Sequence, residues 1–106
     1  MLDVDEVRRI ALELPEAVEK DHHGRPSFRV GEKIFATLWT PTALNVMAAD
    51  DVILTAVERW DSCTEVYWGK RLSAVQVALP AADADQVEEL LFAAWSRKAP
   101  RRLLAE

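Results

Sequence analysis

The sequence predicts an α+β fold: a single twisted antiparallel sheet of about five to six strands, with helices packed on one face. Apolar residues recur at helical spacing near both ends and in the middle of the chain, whereas the segments between alternate with a period of two. Short turn signals join the alternating segments, which is typical of strands that pair antiparallel. With 106 residues, half of them hydrophobic, the chain is expected to form one domain over residues 1–106, in the order α-β4-α-β2-α.

The first helix is predicted over residues 3–14. Asp3 and Glu6 have the spacing of a capping box, in which two side chains satisfy free backbone amides at a helix start. Pro15 ends the helix, because its ring disfavours helical geometry at the residue before it. The apolar stripe of this helix consists of Val4, Val7, Ile10, Ala11 and Leu14.

Four strands are predicted between this helix and the middle of the chain. Their residues alternate with a period of two, and turn-forming residues such as Gly31 and Pro41 separate them. The first has the weakest pattern and is expected at the sheet edge. The four strands cover residues 17–21, 27–30, 33–39 and 44–48.

The third of these strands carries large side chains on both faces. We therefore expect it to be central in the sheet and covered, at least in part, on both sides. Strict alternation places two sets of three residues on opposite faces. The first set is Ile34, Ala36 and Leu38, and the second is Phe35, Thr37 and Trp39.

A second helix and two more strands follow. Asp50 and Asp51 are placed to cap the helix, which extends to about Trp60. The strands are predicted over residues 65–68 and 72–79, and a Gly-Lys turn joins them.

The last helix has the clearest apolar stripe in the chain. It begins with a second capping-box pair, Asp83 and Gln86, and ends near Lys98, ahead of Pro100. Its predicted core residues are Val87, Leu90, Leu91, Ala94 and Trp95.

Composition and charge exclude several classes of function. The formal net charge is −5, and phosphate neutralisation drives most nucleic-acid affinity, so the overall charge argues against tight nucleic-acid binding. No apolar run approaches the ~20 residues of a membrane span, and the acidic start differs from a signal peptide; we therefore expect a cytoplasmic protein. Without a glycine-rich phosphate loop, a nucleophile elbow or a metalloprotease helix, no catalytic residue or cofactor is predicted.

Histidine and cysteine are too sparse to predict a metal or nucleophilic site. His22 and His23 are adjacent, so in a strand their rings point to opposite faces. Cys63 is the single cysteine, and the sequence indicates neither the base nor the orienting group that a cysteine nucleophile needs. We expect this thiol to be buried, as free cysteines usually are.

Carboxylates crowd the beginning of the chain and could form an acidic ridge that binds cations weakly at the surface. Arg8 and Arg9 interrupt the ridge, and a solvated helix face with mixed charges explains the same residues. The ridge would consist of Asp3, Asp5, Glu6, Glu13, Glu16, Glu19 and Asp21.

Positive charge is concentrated after residue 68, where six Lys and Arg residues stand against five Asp and Glu. Tyr67 and Trp68 directly precede a glycine turn and two cations, a pattern that can offer a stacking surface beside phosphate contacts. Cations at the end of the last helix would also complement the helix dipole. The candidate nucleic-acid contacts are Lys70, Arg71, Arg97, Lys98, Arg101 and Arg102.

The tryptophans support an alternative, a pocket for a small ligand or a protein partner. Trp39 and Trp60 lie at the ends of predicted elements, where a partly exposed ring is common. Trp95 belongs to the stripe of the last helix and is expected in the core. The candidate pocket residues are Trp39, Trp60 and Trp68.

An ordered set of short motifs spans most of the chain. It comprises Leu14-Pro15, the run Gly24-Arg25-Pro26-Ser27-Phe28-Arg29-Val30-Gly31-Glu32-Lys33-Ile34-Phe35-Ala36, then Trp68-Gly69-Lys70, Ala94-Trp95 and Ala99-Pro100-Arg101-Arg102-Leu103. This set resembles the MmcQ/YjbR family. The resemblance implies a frataxin-like (CyaY-like) sheet with helices on one side, and a role in DNA binding in which two wing-like hairpins grip the duplex. It brings no catalytic residues and no cofactor.

Three hypotheses of function follow. The leading one is a non-enzymatic cytoplasmic domain of the MmcQ/YjbR type that binds DNA weakly and without strong sequence preference. The alternatives are a module that binds a small ligand or a protein in a tryptophan-lined pocket, and a frataxin-like surface cation binder. Neither the oligomeric state nor the physiological partner follows from the sequence.

Overall fold

A computed structural model describes residues 2–104 of the chain. It shows an α+β fold with one six-stranded antiparallel sheet, and the predicted α-β4-α-β2-α order is confirmed. A 3₁₀ turn over Leu79–Ala81 precedes the long third helix. The elements are α1 (Val4–Leu12), β1 (Val18–His22), β2 (Arg25–Val30), β3 (Lys33–Thr40), β4 (Ala43–Val46), α2 (Asp50–Arg59), β5 (Cys63–Trp68), β6 (Arg71–Ala78), α3 (Ala84–Lys98) and α4 (Arg101–Leu104).

Two of the three predicted helix starts have the predicted N-cap residue, and the start of α3 also forms the full capping box. The Asp3 carboxylate accepts a hydrogen bond from the Glu6 backbone amide at 2.9 Å. At the start of α3, the Asp83 carboxylate accepts from the Gln86 amide at 2.9 Å, and the Gln86 side chain accepts from the Asp83 amide at 3.3 Å. These reciprocal bonds satisfy backbone donors that a helix end otherwise leaves free.

The start of α2 differs from the prediction. Its N-cap is Ala49, which makes no side-chain cap, and Asp50 and Asp51 lie inside the first turn. There the two carboxylates stabilise the helix through its dipole instead of through a capping hydrogen bond.

The six strands are hydrogen-bonded in the order β1-β2-β3-β4-β6-β5, and every neighbouring pair is antiparallel. A row of directly opposed residues crosses the four inner strands, from Ser27 through Thr37 and Asn45 to Gln76, and Thr64 continues it on β5. Opposed residues share one face of a sheet, so this row identifies the faces of all six strands.

A β-bulge in β3 corrects the predicted alternation. Phe28 pairs with Ala36 whereas the next residue, Arg29, pairs with Ile34, so Phe35 is the extra residue of the bulge. A bulge puts two consecutive residues against one partner and shifts the alternation by one. Phe35 therefore lies with Ala36 in the core, and Ile34 lies on the opposite face, the reverse of the predicted assignment for both.

The hydrophobic core lies on one face of the sheet, which we call the covered face. Its strand residues, Phe28, Leu44, Val46, Val75 and Val77, are fully buried. The helices α2 and α3 pack against the sheet, and α1 packs against α3. Helices cover only this face of β3, but Thr37 on the opposite face is also only 3% exposed, so the predicted partial covering of both sides is confirmed. The helical core residues are Val7, Ile10, Ala11, Ile53, Ala56, Val87, Leu90, Leu91, Ala94 and Trp95.

The end of α3 is held beside the β2–β3 turn. Gly31 has φ +55, and a Cβ at this position would come within 3.1 Å of the Pro100 ring. Glycine suits this turn for two reasons, since it accepts the left-handed conformation and leaves room for the proline. Within residues 2–104, none of the helices has the length and hydropathy needed to cross a membrane.

Candidate nucleic-acid interface

The sheet face opposite the helices, the uncovered face, has an unusual charge. By register it carries Lys20 on β1 and both Arg25 and Arg29 on β2. The strand carboxylates, by contrast, belong to the covered side of the alternation: Glu19 opposes Phe28, and Asp21 opposes Pro26. Glu65 on β5 likewise opposes Val75. Among the described strand residues, the uncovered face therefore carries cations and no carboxylate, although the chain has a net charge of −5.

The centre of this face is neutral and polar. Thr37 and Asn45 are both only 3% exposed. The Gln76 side-chain amide donates to the Asn45 side-chain oxygen at 2.9 Å. Nearer β1, the Ser27 hydroxyl donates to the Lys20 carbonyl at 2.8 Å and accepts from Arg29 Nε at 3.1 Å. These bonds hold the floor of the face in one arrangement.

Trp39 stands at one end of the uncovered face. It lies where the β3–β4 register shifts, between Leu38 and Thr40, and is 44% exposed. Arg25 fixes its position: Nε donates to the Trp39 carbonyl at 2.9 Å, and the guanidinium carbon lies 3.9 Å from the ring centroid. The contact combines a hydrogen bond with a cation–π interaction, so the indole is held in place while much of it stays exposed.

Trp68 stands at the opposite end, where β5 finishes, and is 57% exposed. Beside it a cleft of about 280 Å³ is lined by three cations, Arg71, Arg97 and Lys98. Asp50 is the single carboxylate among its lining residues. We call these three cations, which come from β6 and the end of α3, the basic cluster.

The cations of the basic cluster influence one another. Partial burial lowers the pKa of Lys98 below its ordinary value, and the positive charges of Arg97, Lys33 and Arg71 lower it further. Arg97 also donates to the carbonyls of Met47 at 3.3 Å and Ala48 at 3.1 Å, which ties the end of α3 to the end of β4. Lys33, in the β2–β3 hairpin, is therefore a fourth cation of the same neighbourhood.

A central cleft of about 290 Å³ connects the two ends, since both Trp39 and Trp68 line it. Neutral groups provide most of its remaining lining, and Lys98 is its one residue from α3. These other lining residues are His22, Ile34, Thr37, Asn45, Met47 and Lys98. The arrangement is a groove with an exposed indole and a nearby cation at each end.

The structure brings together some of the predicted site residues and separates others. Of the six candidate nucleic-acid contacts, Arg71, Arg97 and Lys98 converge. Arg102 instead makes a bidentate pair with Glu16, with both N–O distances 2.7 Å. Lys70, in the β5–β6 turn, and Arg101, in α4, are exposed and line neither the central cleft nor the cleft beside Trp68.

The predicted tryptophan pocket is likewise divided. Trp39 and Trp68 share the central cleft, whereas Trp60 lines a separate cleft of about 150 Å³ between α2 and α3. Its ring lies under the Arg59 guanidinium, 4.3 Å from the centroid. Trp95 is buried as predicted, and its indole N–H donates to the Pro15 carbonyl at 3.0 Å.

Sequence reasoning missed the cations on the strands. Arg25 and Arg29 alternate in β2 with Pro26 and Phe28, and this period of two was a usable signal for a polar face. Lys33 was predicted only as the first residue of the third strand. Its approach to Lys98 depends on how α3 lies across the sheet, which no local pattern shows.

Arginines form ion pairs with several carboxylates of the acidic ridge. Arg8 contacts Glu19 at 2.6 Å and Asp5 at 3.3 Å. Arg9 contacts Glu13 at 3.4 Å. Within residues 2–104, no three His, Cys, Asp or Glu side chains are grouped so that they could hold a metal ion.

Cys63 is buried, as predicted. Burial raises the pKa of its thiol, and a hydrogen bond to Ser62 offsets the rise in part. A raised pKa disfavours the thiolate, the form in which cysteine acts as a nucleophile.

The comparison with known families decides the relationship of the chain. A family model described as YjbR matches residues 12–97. The chain belongs to the YjbR family. The matched residues include Trp39 and Trp68, at the two ends of the groove, and Lys98 is the first residue after the match. Searches of curated proteins and of solved structures each found no match.

Proposed function

We propose that this YjbR protein is a non-enzymatic cytoplasmic domain that binds nucleic acid weakly and without strong sequence preference, through the uncovered face of its sheet. The observation that supports the proposal is the segregation of charge. Arg71, Arg97 and Lys98 converge beside a sheet face whose described strand residues include cations but no carboxylate. A chain of net charge −5 can bind a polyanion only through such a local patch.

The number of cations sets the expected strength of binding. If the basic cluster and one or two strand cations neutralise three to five phosphates, the logarithm of affinity should fall with the logarithm of salt with a slope of about −3 to −4. The acidic remainder of the chain repels the same polyanion, so the affinity should be low at physiological salt. The floor residues Thr37 and Asn45 are only 3% exposed, which limits base-specific contacts from the centre of the face.

The test is fluorescence anisotropy with labelled oligonucleotides across a salt series. We expect R71A and K98A each to weaken binding and to make the salt slope less steep by about one. R102A is the matched control, because Arg102 is already paired with Glu16. Affinity no tighter than millimolar at about 50 mM salt, for duplex and single strand alike, would refute the proposal.

A small-ligand site is the second candidate, and the central cleft is the observation that favours it. Its volume of about 290 Å³ lies near the lower limit of typical ligand sites. Trp39 and Trp68 would report binding by fluorescence, and a metabolite panel in a thermal-shift assay would reveal a stabilising ligand. A compound whose stabilising effect is abolished by W39A and unchanged in W60A would establish this function. A panel without any stabilising compound would count against it.

A further inference from the structure

We propose that the polyanion bound by the uncovered face is single-stranded nucleic acid, with bases stacked on Trp39 and Trp68 and phosphates paired with Arg71 and Lys98. The inference rests on the proposed function and specifies its substrate class. Stacking on exposed aromatic rings beside a cationic groove is the usual way in which proteins bind single strands without reading their sequence.

The two indoles are the first step of the inference. Trp39 and Trp68 are 44% and 57% exposed, and both line the one central cleft. Such exposed aromatic surface on a face that no helix covers has no role in the core. The lining of the cleft also includes the neutral side chains of Thr37 and Asn45, so the cleft can accept flat apolar bases.

The separation of the rings is the second step. Trp39 belongs to β3 and Trp68 to β5, which lie three strand positions apart in the sheet. At about 4.8 Å per step, the two strands that carry the rings lie about 14 Å apart. An extended strand of several nucleotides can follow the cleft from one ring to the other.

Each ring has a cation beside it, and this is the third step. Arg25 stacks on Trp39, and this pairing holds the ring in a fixed orientation before any ligand arrives. Arg71 and Lys98 line the cleft that Trp68 shares. A backbone that runs from one ring to the other would therefore meet positive charge at both ends, with neutral groups between them.

The geometry favours a single strand over a duplex. In a duplex the bases are stacked on one another, so their flat faces are not available to a protein ring, and only phosphates and base edges can be touched. Unpaired bases can be splayed out and inserted between protein groups. Clefts of about 280 and 290 Å³ admit groups of that size but not the body of a duplex.

The experiment compares three labelled ligands at low salt: a thymidine 12-mer, a uridine 12-mer and a 12-base-pair duplex. We expect the two single strands to bind more tightly than the duplex. The DNA and RNA strands share the stacking chemistry, so their ratio shows which source the groove prefers. Binding of the thymidine strand should also quench tryptophan fluorescence.

Variants assign the binding to the rings. W39A and W68A should each weaken single-strand binding by about 5- to 100-fold, and phenylalanine in either place should restore part of the loss. W60A is the matched control, since Trp60 lies in the separate cleft between α2 and α3. If an alanine variant fails to fold, two measurements keep the test decisive. One is the binding of the phenylalanine variants, and the other is the quenching of tryptophan fluorescence in W60F, where Trp60 no longer contributes to the signal.

The outcomes separate this inference from the proposed function. A duplex that binds as tightly as the single strands, with R71A and K98A harmful but W39A and W68A harmless, overturns the single-strand inference and leaves nucleic-acid binding intact. Failure of all three ligands to bind removes both. Single-strand preference with loss in W39A and W68A supports both.

Discussion

The two faces of the same sheet have different chemistry. On the covered face, Phe28, Val46 and Val75 are fully buried against helices. On the uncovered face, their sequence neighbours Asn45 and Gln76 are hydrogen-bonded to each other, and exposed tryptophans and cations surround them. Because alternate residues of a strand serve alternate faces, one set of strands can devote one face to stability and leave the other free for recognition.

The largest expected effect is on the covered face. L91A should lower the free energy of unfolding by about 2–5 kcal/mol, because Leu91 is fully buried and its truncation leaves a cavity. L54A, the same change at a half-exposed position of α2, should cost about 0.5 kcal/mol or less. Urea denaturation measures both, and a similar loss for the two variants would contradict the division between core and surface.

A smaller effect on stability is expected from exchanging valine and threonine, which have nearly the same shape, on the two faces. V46T places a hydroxyl in the apolar core and should cost about 1–3 kcal/mol. T37V removes a hydroxyl from the polar centre of the uncovered face and should change stability by less than about 1 kcal/mol. Thermal and urea unfolding would test the pair; equal losses would mean that the uncovered face is packed as tightly as the core.

The pH dependence of Lys98 tests the cation neighbourhood. Its pKa is lowered in the folded protein, by burial first and then by Arg97, Lys33 and Arg71. Between the folded pKa and the unfolded value of about 10.4, the unfolded chain binds more protons, so stability contributed by this group rises with pH. K98M should therefore be more stable than the parent at neutral pH. The difference in free energy of unfolding, measured by urea denaturation at each pH, should narrow as pH rises towards 10. Parallel stability curves would show that Lys98 is not strained by its neighbours.

The smallest effect concerns a fully solvated pair away from both faces. The Arg102 guanidinium lowers the pKa of the Glu16 carboxyl, chiefly through its hydrogen bonds. Stability from this pair is present above the unfolded pKa of about 4.3 and is lost as pH falls through the lowered folded value. The difference in free energy of unfolding between the parent and R102A should consequently shrink in acid. R101A is the control. A difference that stays constant down to about pH 2 would exclude the pair as its source.

Most of the fold could be predicted from local patterns. The N-cap residues Asp3 and Asp83 were identified correctly, and Asp83 forms the full predicted capping box with Gln86, because a cap depends on residues only three positions apart. Strand limits were less accurate. β2 begins at Arg25, two residues before the prediction; β5 begins at Cys63; and Leu79, assigned to the last strand, lies in a 3₁₀ turn. Strand ends depend on partners distant in sequence, so local alternation does not define them.

The candidate site could be predicted only in part. The cations Arg71, Arg97 and Lys98 were identified from their clustering in sequence, and the structure places them together. Arg102 has the same local context, yet it is paired with Glu16, which lies in the turn after α1. Long-range neighbours of this kind decide whether a cation is available to a ligand.

The sequence by itself determined the element order, the N-caps of α1 and α3 and the apolar stripes, because each depends on residues within one or two turns of one another. Only the tertiary structure decided that Phe35 enters the core and that Trp39 and Trp68 share a groove from which Trp60 is absent. A bulge arises from pairing between strands, and a groove arises from packing between layers. Both are set by contacts between distant residues, which a local pattern does not contain.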